Sequence, residues 1–517
     1  MRSQLPRLAG RLAIGLLLTV TAFAADPAPQ PPPRTPLPTP APETLPSEAA
    51  RWPLPGPARD PSRLGVGIQR AMTLVATSTP EHRHHVKVLF YGQSITEQEW
   101  SKQVAEDLRR RFPNADLEIE NRAIGGFASQ LLIRPAEHDL YPFYPDLLIF
   151  HVFGANQQYD QIIHSVRSRT AAEVLMLTDH LTHWPPAVID EKKDKGMWWD
   201  DLMNHRFLPD IAKRYGCGLC DIRGGWLDYL KDNHLEPPAL LNKDGAHLNK
   251  MGNFVMAHLA EQYLIYRPDL PNGAWKDLTH DYVVGKDAQW KDGKLLLEFD
   301  GNRVDVFPAA TSSAAAGAKA TVLIDGKKPS EFTGEPADEP ATSATTAPAL
   351  KNPMKTSGAY RITRSQPGPW SPVFLSRVDH DTPLALETWT LKLTSVSKDG
   401  RQWTFDVAGS VTGPDGSGSS DKPFTSNSGR VRIEPAAWFR GFYPPLPVGY
   451  RITWKVLPMY EQTLEFAKIE DAAKDNAVTL IQGVSNGKHT LELIADDPAN
   501  VPAIASVRAY KPPVKGD

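Results

Sequence analysis

Between residues 86 and 267 the chain alternates two hydrophobic periods. Short aliphatic or β-branched runs at 86–90, 117–120, 146–153, 174–178 and 219–222 have the length and composition of buried strands. Between them, apolar residues recur at helical spacing. Trp100, Val104, Leu108 and Phe112 mark one face of a helix over 97–112, and further helices are predicted at 159–169, 200–215 and 250–265. Strand and helix in alternation imply a parallel sheet covered on both faces, a three-layer α/β/α domain. In such sheets the ligand crevice lies beyond the carboxyl ends of the strands, so the loops after each run are where chemistry is sought.

Beyond Pro271 the pattern changes. Runs at 294–299, 320–324, 389–394, 403–407 and 490–494 are separated by Gly, Pro, Asn and Asp, among them Asp300-Gly301-Asn302 and Asp325-Gly326, which read as turns. This predicts one or two β-sandwich units across 271–517. Residues 333–349, rich in Ala, Thr, Pro and Glu, read as an exposed loop. Asp415-Gly416-Ser417-Gly418-Ser419-Ser420-Asp421 lacks the carboxylate spacing of a calcium loop and reads as a turn.

The start of the chain has neither period. Arg2, Arg7 and Arg11, an apolar run over 12–23 and the small-residue pattern Ala22-Phe23-Ala24 form the layout of a secretory signal over 1–24, cleaved before Ala25. The run is too short to span a bilayer, so the expectation is an exported chain, periplasmic or extracellular, with no membrane attachment after cleavage. Residues 25–62 are Pro-rich with few bulky apolar side chains and read as an extended tether. The α/β part then occupies 63–270.

Charge narrows the partners. With 517 residues, a net charge of −3 and a pI near 6.6, the chain has no field suited to nucleic acid or an anionic membrane. Cys217 and Cys220 are spaced CxxC, yet no second pair completes a zinc tetrahedron, and residues three apart on a strand face opposite ways. They read as small apolar packing groups. His82, His84 and His85 precede the first strand and read as a solvated face rather than a metal site.

Four short pieces in the α/β part stand at strand ends. Tyr91-Gly92-Gln93-Ser94-Ile95-Thr96 places a serine where the first strand gives way to a helix, whose N-terminal N–H groups favour developing negative charge; a helix cap is the bland alternative. Asn121-Arg122-Ala123-Ile124-Gly125-Gly126 follows the second strand, and a glycine there lets its N–H approach a ligand. Gly154-Ala155-Asn156 follows the third, with a side-chain amide able to donate to the same oxygen. Asp244-Gly245-Ala246-His247 spaces a carboxylate and an imidazole so that the first can orient the second. Alone, each piece reads as a turn or cap.

Together they resemble the block pattern of the SGNH (GDSL-type) hydrolase superfamily, in which GDS, a glycine, GxN and DxxH occur in this order, over about residues 85–267. The resemblance implies an SGNH α/β/α hydrolase domain followed by a β-sandwich region. It implies Ser94 as nucleophile, His247 as base and Asp244 as its orienting carboxylate. The oxyanion hole would consist of the N–H groups of Ser94 and Gly126 and the amide of Asn156, with no metal or organic cofactor needed. Two positions depart from the pattern, Gln93 and Gln157, each standing where the family usually has Asp.

Exported members with β-sandwich appendages resemble carbohydrate acetylesterases, which makes an acylated carbohydrate the implied substrate. Trp370, Trp389, Trp403, Trp438 and Trp454 are then either sugar-stacking faces or core. Asp179-His180 ends the fourth strand run and is placed to reach the crevice, and Trp184, Trp198 and Trp199 follow it as a roof. The rivals are a lipase or thioesterase of the same superfamily, which calls for a large apolar approach, and a non-catalytic carbohydrate-binding protein.

Overall fold

The first strand is buried on both faces. Leu89 and Tyr91 join the core on one side, while Val86, Val88 and Phe90 face the other, where Phe90 meets Trp100 edge-on at 5.7 Å. This is why the run reads as continuously apolar and why it sits at the centre of a parallel sheet. The computed structural model describes residues 52–517 apart from 187, 271–272, 310–316, 333–357, 370–372, 381–383, 441–445 and 515–517. The predicted signal at 1–24, most of the Pro-rich segment and the predicted loop at 333–349 lie outside the described residues.

The sheet comprises β1 (His85–Gly92), β2 (Asp116–Asn121), β3 (Leu147–His151), β4 (Glu173–Leu177) and β5 (Gly218–Cys220), ordered β2-β1-β3-β4-β5 with every neighbour parallel. Its helices are α1 (Gln69–Thr77), α2 (Ser94–Glu97), α3 (Glu99–Arg111), α4 (Ser129–Leu132), α5 (Ala136–Asp139), α6 (Asn156–Arg169), α7 (Lys195–Leu202), α8 (Leu208–Tyr215), α9 (Ile222–Asp232) and α10 (Lys250–Glu261). α3 covers the Phe90 face, and α6 covers the other through Tyr159, whose ring lies 5.0 Å from Phe150. Strand order reverses between β1 and β3, which opens the crevice at their carboxyl ends. Among the described residues no helix is long and apolar enough to cross a membrane.

Two predicted helices differ in detail. The one over 97–112 is broken at Gln98, whose ψ of 172° is extended. The one over 200–215 begins at Lys195 and passes through a π-turn at Met203–Phe207 between α7 and α8. The wider turn directs Asn204 inward, where its oxygen accepts the Asp179 N–H at 2.7 Å. Cys217 and Cys220 are free and buried, Cys217 in the core beside α8 and Cys220 with its sulfur towards the Leu259 carbonyl at 3.9 Å. Burial pushes the Cys217 thiol up to about 11.

The region after 270 is a sandwich of a seven-stranded sheet, in which Lys294–Pro308 pairs with Val478–Ala495, and a five-stranded sheet centred on Thr388–Val396. One core spans both. Asp325-Gly326 makes the predicted turn, with φ of +52° and +71°. Asp300-Gly301-Asn302 does not: the strand Lys294–Pro308 runs straight through it. Gly301 (φ +150°) lets the Tyr510 carbonyl pass where a Cβ would collide, and Asn302 then reaches the α/β half, accepting from Tyr144 Oη and donating to the Arg169 carbonyl, each at 2.8 Å.

Residue 270 therefore divides fold types but not cores. Phe374, fully buried, sits in the α/β core between Phe127 (5.6 Å) and Phe439 (5.3 Å), and Arg364 pairs with Asp139 at 2.5 Å while donating to the Arg122 carbonyl at 3.2 Å. Pro53–Pro61 likewise lies along the α/β half: Arg59 pairs with Asp228 at 2.6 Å and the Gly56 carbonyl accepts from Gln262 at 3.0 Å.

Two expectations follow from this packing. Phe374→Ala, measured by denaturant unfolding of the whole chain, should cost about 3–5 kcal/mol, the usual range for a buried phenylalanine. The second concerns acid. Burial holds His380 down to about 3, and burial together with the nearby His151 charge holds His180 down to about 4. An unfolded chain takes up these protons near pH ~6.5, so below that pH the unfolded state binds more protons than the folded one. Stability is then full above about 6.5 and falls as pH drops towards 4 and 3. His380→Gln, which keeps an acceptor for the Trp454 Nε1–H (2.7 Å in the native pair), should flatten that decline.

Candidate active site

β1 ends at Gly92, where a Cβ would collide with the His151 carbonyl and the Thr96 hydroxyl. Glycine is needed because the Thr96 hydroxyl itself donates to that carbonyl at 2.9 Å, drawing the turn against β3. The Gln93 carbonyl accepts from the N–H of Thr96 (2.8 Å) and Glu97 (3.2 Å), which starts α2 at Ser94. Gln93 thus serves the turn through its backbone. Ser94 is half-buried, and its hydroxyl makes no hydrogen bond among the described residues.

Asp244 and His247 meet as their spacing predicts. One carboxylate oxygen accepts the N–H of Ala246 and of His247, each at 2.9 Å, and the other lies 2.9 Å from His247 Nδ1. Gly245, at φ +73°, makes the tight turn possible. The backbone N–H of Ala246, then that of His247, then the imidazole itself hold the Asp244 carboxyl down at about 2. Both side chains are open to water, Asp244 at 51% and His247 at 40% exposure. The structure forms the Asp244–His247 pair and shows no hydrogen bond between His247 and Ser94.

Side-chain hydrogen bonds join the four separate loops into one crevice. Gln98 lies across Leu248, donating to its carbonyl at 2.9 Å and accepting its N–H at 3.0 Å, so the residue after His247 is tied to the break after α2. Asn253 adds to this link, accepting the Trp100 N–H at 2.9 Å and donating to the carbonyls of Leu248 (3.2 Å) and Asn249 (2.9 Å). Asn121 donates to the Thr96 carbonyl (2.6 Å) and the Ser101 hydroxyl (2.9 Å), and the Ile124 N–H donates to the Gly92 carbonyl at 3.0 Å, bringing the glycine loop to the serine turn. Ser129 donates to the carbonyl of Ala155 (2.8 Å), its N–H to that of Phe153 (3.1 Å), and Gln130 accepts the Ala155 N–H (3.1 Å), fastening the Gly126 loop to the Asn156 loop. Gly154, at φ +139°, allows that approach, since a Cβ would meet Ser129 at 2.7 Å.

Among the described residues, the N–H groups of Ser94 and Gly126 and the amide nitrogen of Asn156 make no hydrogen bond. The amide oxygen of Asn156 is buried and also unpartnered, as is that of Gln157. Unmet polar groups of this kind cost about 1–3 kcal/mol each in a finished fold, and they collect where a ligand is to be met. Gly126 stands at φ +74°, and its neighbour Phe127 is the residue wedged between Phe374 and Phe439, 4.8 Å from the latter. The β-rich region thereby braces the glycine loop.

Spacing alone did not reveal Gln98, a polar residue inside a predicted helix, because its partner lies 150 positions away. Asp179 and His180, placed by the sequence at the crevice, instead support it from below. His180 Nε2 donates to the Ala246 carbonyl at 2.9 Å, next to His247, and Asp179 lies 3.1 Å from His151 Nε2. Although burial pushes the Asp179 carboxyl up, the His151 contact holds it below the ordinary range. The stacking faces also differ from one reading of the tryptophans. Trp389, Trp403, Trp438 and Trp454 are buried, and Trp370 lies outside the described residues. The exposed aromatic beside the site is Phe153, met edge-on at 6.2 Å by the half-buried Trp199.

Fold and site together define a doubly wound α/β protein with a serine, a His–Asp pair and unpartnered donors gathered at the switch-point edge of its sheet. No family model and no curated protein matches the chain. Among solved structures, a two-domain esterase active on acetylated mannans, co-crystallised with mannopentaose, matches at 14% identity over 87% of this chain and 96% of that one, with a TM-score of 0.32. An acetylxylan esterase from Geobacillus stearothermophilus matches at 16% identity over 37% of this chain and 100% of that one, TM-score 0.30. An α/β hydrolase from the metagenome of Lake Arreo, Spain, matches at 20% identity over 36% of this chain and 98% of that one, TM-score 0.31.

If Gln98 holds the His247 loop in register, Gln98→Ala should slow the reaction of Ser94 with a fluorophosphonate by roughly 10- to 100-fold, the cost of a misplacement of about 1 Å. The Asp244–His247 pair, which Gln98 does not touch, should survive. Unchanged labelling kinetics would remove Gln98 from the site.

Proposed function

We propose that this chain is a serine ester hydrolase of the SGNH type that removes acetyl groups from a polysaccharide or oligosaccharide after export. The observation that carries the reading is the joining of four distant loops, bearing Ser94, Gly126, Asn156 and the Asp244–His247 pair, by side-chain hydrogen bonds at one sheet edge.

In this reaction Ser94 Oγ attacks the ester carbonyl as its proton passes to His247 Nε2. Asp244 receives the Nδ1–H and favours the imidazolium that forms. The oxygen that gains the charge is met by the N–H groups of Ser94 and Gly126 and the Asn156 amide, and losing one such donor typically lowers turnover about 100- to 1,000-fold. Collapse breaks the ester bond, and the leaving alcohol takes the proton from His247. Water then repeats the sequence on the acyl-enzyme, releasing acetate and restoring Ser94.

Three features favour a carbohydrate over a lipid. The His–Asp pair is open to water, the exposed residue of the serine turn is the charged Glu97, and Phe153 with Trp199 gives an aromatic face rather than a broad apolar approach. A neutral surface and a secretory signal fit an extracellular or periplasmic polymer.

Ser94→Ala should abolish both fluorophosphonate labelling and acetate release from acetylated polysaccharides. Retained release would sink the serine mechanism, whereas labelling without acetate release on any acetylated glycan would keep the hydrolase and reject the substrate. The pH profile offers a further check. Asp244, with a carboxyl at about 2, stays ionised throughout the working range, so the acid limb of kcat/KM should show one ionisation, that of the base, and a slope of one. A limb of slope two would mean a second required group.

A further inference from the structure

Just before β1 the chain runs beside a loop of the β-rich region. Arg83 donates its N–H to the Ala473 carbonyl at 2.6 Å and bridges to Lys474. On either side of Arg83, His82 and His84 turn towards Asp475, with ring centroids 4.3 Å apart. His82 Nε2 lies 3.2 Å and His84 Nδ1 3.5 Å from the same carboxylate oxygen, Oδ1, and the three atoms all fall within 4.8 Å of one another. The other oxygen, Oδ2, is engaged by the His85 N–H at 2.9 Å, which fixes the carboxylate with Oδ1 facing both imidazoles.

We propose that His82, His84 and Asp475 form a structural site for a borderline transition-metal dication of the zinc class, apart from the active site. With metal–ligand bonds of about 2.0–2.1 Å, the edges of a tetrahedron are about 3.3–3.4 Å long, which the 3.2 Å and 3.5 Å separations match. Hydrogen bonding alone leaves the cluster incomplete. Asp475 satisfies His82, but His84 Nδ1 is buried with no hydrogen-bond partner. An unmet buried nitrogen is costly, and a metal bond would satisfy it. His82, 63% exposed, has room to close the third edge and leaves the fourth position to water. Two imidazoles and one carboxylate suit zinc, copper or nickel and not calcium or magnesium, which take oxygen ligands. The bound ion would fasten the entry to β1 onto the 471–475 loop.

The test uses the full chain, stripped with a chelator and titrated calorimetrically with zinc chloride. One equivalent should bind and raise the Tm, because a ligand that binds only the folded state stabilises it, and calcium chloride should do neither. His82→Ala, at an exposed position where folding is not at stake, and His84→Ala should each weaken binding at least about tenfold. Circular dichroism would show that both variants fold. Absence of saturable zinc binding by the wild-type chain overturns the proposal, as does equally tight binding by the His82→Ala/His84→Ala double variant. Fluorophosphonate labelling of Ser94 in the zinc-free chain should proceed at the wild-type rate, and a dependence on zinc would overturn the separation of this site from the active site.

Discussion

The amide of Gln98 spans the backbone of Leu248, giving one hydrogen bond and taking another, and the geometry of the crevice hangs on this contact. This tie holds the serine turn at the end of β1 to the histidine turn before α10. The extended break at Gln98 between α2 and α3 is explained by the same need: a continuous helix would carry the amide past Leu248. Asn253 reinforces the same tie, and Asn121 and Ser129 repeat the device between other pairs of loops. In each case a short polar side chain grips a backbone, and the fixed partner makes the position independent of side-chain rotamers elsewhere.

Beneath this layer lies a second, buried one. His180 holds the Ala246 carbonyl, Asp179 is paired with His151 and fixed by Asn204, and Arg223 pairs with Asp200. Polar groups removed from water are costly unless matched, and the His180 contact joins this layer to the His247 turn. The upper surface of the same loop stays wet.

The β-rich half is part of this arrangement and not an ornament on it. Phe374 completes the α/β core next to Phe127, Arg364 grips Asp139 and the Arg122 carbonyl, and Asn302 reaches Tyr144 and Arg169. Two of these contacts fall on the loop that ends in Gly126. The N–H of that glycine thus depends on residues about 240–310 positions further along the chain, and removing them would expose apolar surface and loosen a donor at once.

Residue order and period by themselves determined the layers, the strands and the Asp244–His247 contact. Buried parallel strands must be continuously apolar, amphipathic helices must repeat near every third or fourth residue, and a DxxH turn brings its carboxylate to its imidazole with no help from elsewhere, because all its bonds lie within four residues. Gln98 and Asn253 gave no such local sign, and His180, placed at a strand end by the sequence, gave none of its partner. Their partners lie tens to about 150 positions away, and a lone polar residue in a helix looks the same whether it faces water or a distant backbone. The fate of Asp300-Gly301-Asn302 was open for the same reason. Its composition suits a turn, and only the passage of the strand Ile504–Tyr510 and the reach of Asn302 to another core decide that the strand continues. Tryptophans that alternation places on a sheet were assigned to core or surface only when the second sheet closed over them, because burial depends on both surfaces and the sequence of one strand describes a single surface.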